Sequence, residues 1–321
     1  MVRGDLDAIP EIQAAKEVVL VLQDVTLSAN GQPVEPNLMQ QMAGREGALI
    51  GASGSANPTI SIQKDGWVRL RLVNASCSRF YRLQLEEHDL YQISSDGGSL
   101  PAPIELSELL LVPGQRVDVM IQGSRPPESY RLVNLPYSRG AMGMGGGMGM
   151  MGGMGGVIGS NSAPSTIATF VYAGQANPAV PLPPKLVPVQ PLPLPSQTRS
   201  FVLGQSMGSG MMGGGMSFAI NGRTFDPGRI DTQVRLGDAE EWEFINPMGM
   251  DHPMHIHTNP FQVVQSDGSL EAAWRDVVLV PGGGRVRVRT AFQDFTGKLV
   301  YHCHILDHED LGMMGVLAIG A

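Results

Sequence analysis

Six of the seven histidines in this 321-residue chain, and one of its two cysteines, fall in two short stretches near its end. DHPMHIHTNP holds His252, His255 and His257; YHCHILDHEDLGMM holds His302, Cys303, His304, His308 and Met313. In an extended strand successive side chains take opposite faces. His302 and His304 therefore share one face and Cys303 takes the other, and His255 and His257 also share a face. Two donor sets result, back to back. One joins Cys303, His308 and His252, with Met313 nearby. A thiolate, two imidazoles and a weak thioether are the donors of a blue-copper electron-transfer site. The other joins His255, His257, His302 and His304, four neutral imidazoles that suit copper or zinc. A lone HxH is often only the polar face of a strand, but that reading does not account for so many histidines gathered around a cysteine.

The remaining candidates read more plainly. Cys77, in NASCSRF, is expected as a small buried apolar residue. The alternative, a disulfide to Cys303, would waste the flanking histidines. His88, in EEHDL, stands alone and reads as structural or exposed. Asn74-Ala75-Ser76 fits a glycosylation sequon, a pattern common by chance.

The elements that must position these residues are strands. VVLVLQDVTL (18–27), WVRLRLVNAS (67–76) and RVRVRTAF (285–292) are rich in β-branched residues, several alternate, and DGG, NG and PGG turns separate such runs. There is no long helical periodicity. An internal repeat supports two copies of one unit: LSELLLVPGQRVDVMIQ (106–122) parallels WRDVVLVPGGGRVRVRT (274–290), and residues 56–76 resemble 222–247. The expected fold is all-β: two cupredoxin-like Greek-key β-sandwich domains joined by a Pro-rich linker. Residues 1–13 form a connecting segment, 14–174 the first domain, 175–197 the linker and 198–321 the second domain. NPAVPLPPKLVPVQPLPLPSQ favours a stiff polyproline II spacer.

Two Gly/Met tracts stand apart, AMGMGGGMGMMGGMGG (141–156) and SMGSGMMGGGMS (206–217). Glycine at this density does not hold a regular element, so both read as mobile loops. Their methionines (Met142, Met144, Met148, Met150, Met151, Met154, Met207, Met211, Met212 and Met216) are candidate soft ligands for Cu(I). The bland reading is a low-information insertion.

Composition excludes several functions. A net charge of −8 and a pI near 5.3, without a basic patch, argue against a nucleic-acid partner. No run of eighteen apolar residues predicts a membrane span. The first residues lack an apolar core with a small-residue cleavage site, so no signal peptide is expected; cellular location is unassigned.

HPMHIH and HCHILDHEDLGMM resemble the two C-terminal copper motifs of the multicopper oxidases, the laccase and cuprous-oxidase family. The likeness extends over nearly the whole chain, including FYRLQL and the SSDGG turn. It implies type 1 copper on His252, Cys303, His308 and Met313, type 2 copper on His255, and a type 3 pair on His257, His302 and His304. It places Asp307 where cuprous oxidases carry a proton-relay acid. Members are typically periplasmic or secreted. They have three cupredoxin domains, and their trinuclear cluster takes eight histidines, four from each end of the chain. Only four are available here, and MVRGDLDAIPEI resembles the segment joining the first domain to the second. The expectation is a type 1 electron-transfer copper protein with half of a trinuclear cluster, inactive towards oxygen as a monomer. Two alternatives stand beside it: an oxidase completed across a homo-oligomer interface, and a Cu(I) store or carrier using the Met tracts.

Overall fold

The computed structural model describes residues 3–140, 163–176, 181–207 and 216–321, with backbone only at 206 and 207. The described residues are mostly strands, arranged in four sheets that form two cupredoxin-like sandwiches. The first pairs a six-stranded sheet with a five-stranded one; its strands run from Lys16–Val25 to Ser165–Gln175. The second pairs two five-stranded sheets, from Gln197–Met207 to Met314–Gly320.

Alternation produces these layers. In Trp67–Asn74, Val68, Leu70 and Leu72 are buried in the first core. Arg69, on the opposite side, is also buried and is neutralised by Asp118 and Asp7. The repeat is structural: Leu109–Leu111 and Arg116–Gln122 lie in opposite sheets of the first sandwich, and Val277–Val280 and Arg285–Ala291 do so in the second. In both copies the Val-Pro-Gly turn carries the chain from one sheet to the other.

The proline-rich connection is strapped down. Leu182, Leu186 and Val187 pack against a small core of Leu6, Ile12, Ile93 and Met120, built partly from short helical turns at Asp5–Ala8 and Pro10–Gln13. Further along, Leu192 donates its amide to Gln262 at 2.8 Å. The linker thus spans the seam while touching both sandwiches.

The core of the second sandwich does not stop at its own strands. Met42, Phe80 and Val112 of the first sandwich join it, beside Cys303, Ile305 and Met313. Each such buried side chain contributes about 1.5–3 kcal/mol of transfer free energy, so the seam is a packed interior. The short helix Leu38–Ala43, which carries Met42, starts at an Asn37 cap that accepts the Gln40 amide at 2.9 Å.

Candidate metal centres

Strand His252–Ile256 pairs antiparallel with Gly297–Cys303, setting Met254 opposite Cys303 and His255 opposite His302. His252, Met254 and Cys303 therefore face the core, and His255 and His302 the other side. His304 lies just past the strand end, its amide bonded to the Pro253 carbonyl at 2.7 Å. The chain then enters the helix Leu306–Asp310, which carries His308 back under Cys303. Gly312, at φ +107°, closes the turn where a Cβ would meet the Phe218 carbonyl at 2.9 Å. The loop returns so that the Cys303 amide donates to Met313 and the Met313 amide to His308, at 3.0 and 2.9 Å.

On the core side, His252 Nδ1 lies 3.5 Å and His308 Nδ1 3.8 Å from Cys303 Sγ, and the two nitrogens are 3.2 Å apart. All three residues are completely buried, as is Met313. The outer nitrogen of His308 faces the Met42 carbonyl at 3.2 Å, and Phe218 packs on its ring at 4.0 Å. A carbonyl accepts, so Nε2 carries the proton and Nδ1 offers its lone pair inward. His252 Nε2 is buried without a hydrogen-bond partner. Burial holds the His252 pKa down to about 3, with the charge of Arg139 adding to it, and lowers His308 as well. Burial raises the Cys303 thiol pKa. Two neutral imidazoles and a thiol converging in a dry pocket fit a soft or borderline metal ion that displaces the thiol proton.

On the other side, His257 Nε2 and His302 Nε2 approach to 3.0 Å. The His255 ring lies 4.8 Å from His257 and 5.3 Å from His302, and His304 is 5.7 Å from both His255 and His302. Outer nitrogens are held back. His255 Nδ1 donates to the Asp276 carbonyl at 2.7 Å, and His302 Nδ1 faces both the Cys303 carbonyl at 2.9 Å and Glu309 at 3.1 Å. A hydrogen bond on one ring nitrogen fixes the tautomer and aims the other nitrogen inward, as metal-binding imidazoles require. Burial brings His255 down to about 4 and lowers His257 and His304. His304 Nδ1 is buried and unpartnered. In contrast to the core side, His257 is only half-buried.

Some placements differ from the sequence reading. Asp307, which the resemblance puts in the place of a proton-relay acid, faces the first sandwich: Arg45 Nε lies 3.4 Å and Ser78 Oγ 3.5 Å from its carboxylate. The carboxylate on the histidines is Glu309. Burial acts to raise its pKa, but the His302 hydrogen bond and the neighbouring rings outweigh burial and keep it below the ordinary value. The two acids are two positions apart on one helical turn, and sequence gives no sign of which faces which sandwich. Met216 is not in a loop: Met207 and Met216 pair across two strands, and the Met216 side chain packs on the second core. The methionines of 141–156, and Met211 and Met212, lie outside the described residues.

Cys77 is free and only half-buried, beside Arg45 in a pocket. Asn74 of the sequon is buried, its amide spent on the Arg79 and Leu111 carbonyls at 2.8 and 2.9 Å. His88 is structural, held between the Glu86 carbonyl and the Tyr172 hydroxyl at 2.7 and 2.9 Å.

The first sandwich supplies supports that carried no sequence signal. Gly114 backs the His304 ring, where a Cβ would lie 2.3 Å from the imidazole. Arg116 grips the Asp276 carboxylate at 2.6 and 2.7 Å, and so fixes the segment that orients His255. Buried Asp96 accepts the Arg116 amide at 2.8 Å, and the adjacent Ser95 hydroxyl donates to the Trp274 carbonyl at 2.7 Å.

Family comparisons agree with this geometry. Two family models, both described as multicopper oxidase, match residues 16–148 and 195–321. A protein named multicopper oxidase mco from Staphylococcus haemolyticus is 25% identical over 326 residues, covering 97% of this chain and 60% of that protein. The cell division protein FtsP of Escherichia coli is 28% identical over 329 residues, covering 97% of this chain and 63% of that protein. A solved multicopper oxidase of Campylobacter jejuni, described as a metallo-oxidase, superposes with a TM-score of 0.81 at 29% identity, over 99% of this chain and 66% of that one. The chain thus spans about 60% of the length of the curated relatives it matches.

Proposed function

The chain belongs to the multicopper oxidase family, whose cofactor is copper, and from that premise we propose that it is an electron-transfer unit with one complete copper site and half of a second. In this reading His252, Cys303, His308 and Met313 hold type 1 copper. His255 takes type 2 copper, and His257, His302 and His304 take the type 3 pair. The observation that carries it is the convergence of Cys303 Sγ with two Nδ1 atoms at 3.2–3.8 Å in full burial, back to back with the Nε2 pair at 3.0 Å.

Copper held at the first site would supply a one-electron couple, with the Met313 thioether as its weak fourth ligand. The chain does the rest. The Met42 carbonyl fixes the His308 tautomer. Cys303 would hold the metal as a thiolate, its proton passing to solvent. The peptide links of Cys303 to His302 and His304 give the two faces a covalent connection. Glu309 accepts from His302 Nδ1, which makes it, rather than Asp307, the carboxylate placed to hold a proton beside the open cluster.

The open cluster takes its remaining ligands from outside these 321 residues, either from a further polypeptide segment or from a second copy of the chain. Copper-loaded monomer should show the blue charge-transfer band with one blue copper per chain, any further metal sitting more weakly on the imidazole face. It should take up no oxygen with a phenolic or cuprous substrate. Oxygen uptake by a species of monomer mass overturns the half-cluster reading. A dimer with three coppers at its interface would show that a second copy completes it.

A second reading, Cu(I) capture by the Met tracts, is favoured by where they leave the fold. Gly140, just before the first tract, bridges to Met250 near His252. The strand Met216–Ile220, which begins within the end of the second, brings Phe218 onto His308. Deleting 141–156 should weaken Cu(I) binding; unchanged affinity removes this reading.

A further inference from the structure

Arg139 has no exposed surface. It lies in the seam between the sandwiches, between the two segments that reach the core-side donors. Its carbonyl accepts the Asp251 amide, next to His252, at 2.8 Å. Its guanidinium donates to the carbonyls of Ser78 at 2.8 Å, Gly44 at 2.8 Å and Ala43 at 3.2 Å, directly after the Met42 carbonyl that meets His308. The packing is close: a Cβ on Gly44 would meet Arg139 Nη1 at 2.8 Å and Ile305 Cγ2 at 3.3 Å. The guanidinium and the side chain two residues beyond Cys303 thus flank one glycine. Glu46 is the nearer counter-charge, 3.4 Å from Nη2, and it is shared with Arg79 at 3.0 Å. The Arg139 Nε is buried and unpartnered.

A cation so placed does more than tie loops. Apart from the Glu46 carboxylate, the groups it touches are neutral carbonyls and the face of Phe80, 5.4 Å from Cζ, in an interior where a charge reaches further than in water. Arg139 is one hydrogen bond from the residue before His252, and it binds the carbonyl that follows the one capping His308.

We propose that Arg139, with Glu46 as its counter-charge, is a positioning residue that sets the reduction potential of the His252–Cys303–His308 site. The proposal rests on the type 1 copper reading above. Reduction adds one electron and moves no proton, because the thiolate stays bound. The charge of copper plus thiolate therefore falls from +1 to neutral. A buried positive charge nearby disfavours the oxidised form and raises the potential, and a negative one lowers it.

The test is a redox titration of the copper-loaded protein, followed by its blue absorption. Arg139→Gln should shift the Cu(I)/Cu(II) affinity ratio at least tenfold towards Cu(II), a fall of about 59 mV for one electron. Glu46→Gln should shift it at least threefold the other way. Arg139→Lys keeps the charge but loses the fork, and should hold the ratio within threefold while lowering thermal stability. A merely structural Arg139 would give shifts unrelated to charge. Intact blue bands with both glutamine variants moving in the same direction, or neither moving, overturn the proposal. If Arg139→Gln does not fold, the sign of the Glu46→Gln shift decides. Wild-type protein without a blue band overturns the copper reading itself, and the proposal with it.

Discussion

The two faces of the strand pair His252–Ile256 and Gly297–Cys303 carry donors of similar chemistry under opposite conditions. On the core face every donor is buried, and the outer nitrogen of His308 is capped by a carbonyl from the other sandwich. On the other face the ring nitrogens converge at a half-buried His257. Sequence distance does not explain the contrast, since His302 and Cys303 are neighbours. It arises because the core face looks into a seam already filled by Met42, Phe80 and Phe218, whereas, among the described residues, the opposite face is backed by Gly114 and the Arg116–Asp276 pair. A closed site can be finished by one domain; an open one leaves its donors facing outward.

The sharpest way to separate the faces is Cys303→Ser. It should abolish the blue band and lower copper content by one per chain, while the imidazole face still binds metal; absorption and metal analysis check both. Loss of all metal together would break the idea of two independent faces. Next comes Gly114→Ala. Its φ of +83° already disfavours alanine, and the new Cβ would lie 2.3 Å from the His304 ring. A loss of about 2–4 kcal/mol is expected in chemical denaturation, with metal binding weakened on the imidazole face and the blue band kept.

The smallest effect tests the inter-sandwich support. Burial, reinforced by the neighbouring Asp276, raises the Asp96 pKa to about 6. The folded state then holds a proton that the unfolded chain has already released. Stability contributed by that proton is present below the unfolded carboxylate pKa near 4 and is lost as pH rises through about 6. The slope is at most about 1.4 kcal/mol per pH unit. Asp96→Asn should flatten unfolding free energy across that window; an unchanged slope would place the titration elsewhere.

Much of this was legible in the residues. Strand runs, turn signals and the duplicated Val-Pro-Gly segment point to two sandwiches. Strand alternation separates Cys303 from His302, because the side-chain period of two is a property of the backbone itself. Alternation says nothing beyond the strand end. There, a five-residue helix decides which acid meets the histidines, and its orientation depends on packing against Arg45 and Ser78, more than 220 positions away in the chain. Met216 was misread for a related reason: glycine-rich context signals a loop, but pairing with Met207 extends the strand into it.

Local order in the chain thus determined the donor types, their spacing and their division between two faces. Tertiary structure alone decided which face is closed, that Glu309 rather than Asp307 reaches the cluster, and that Arg139, Gly114 and Arg116 support the two sites. Those roles depend on carbonyls, charges and empty volume brought together from distant segments, and no spacing rule encodes such meetings.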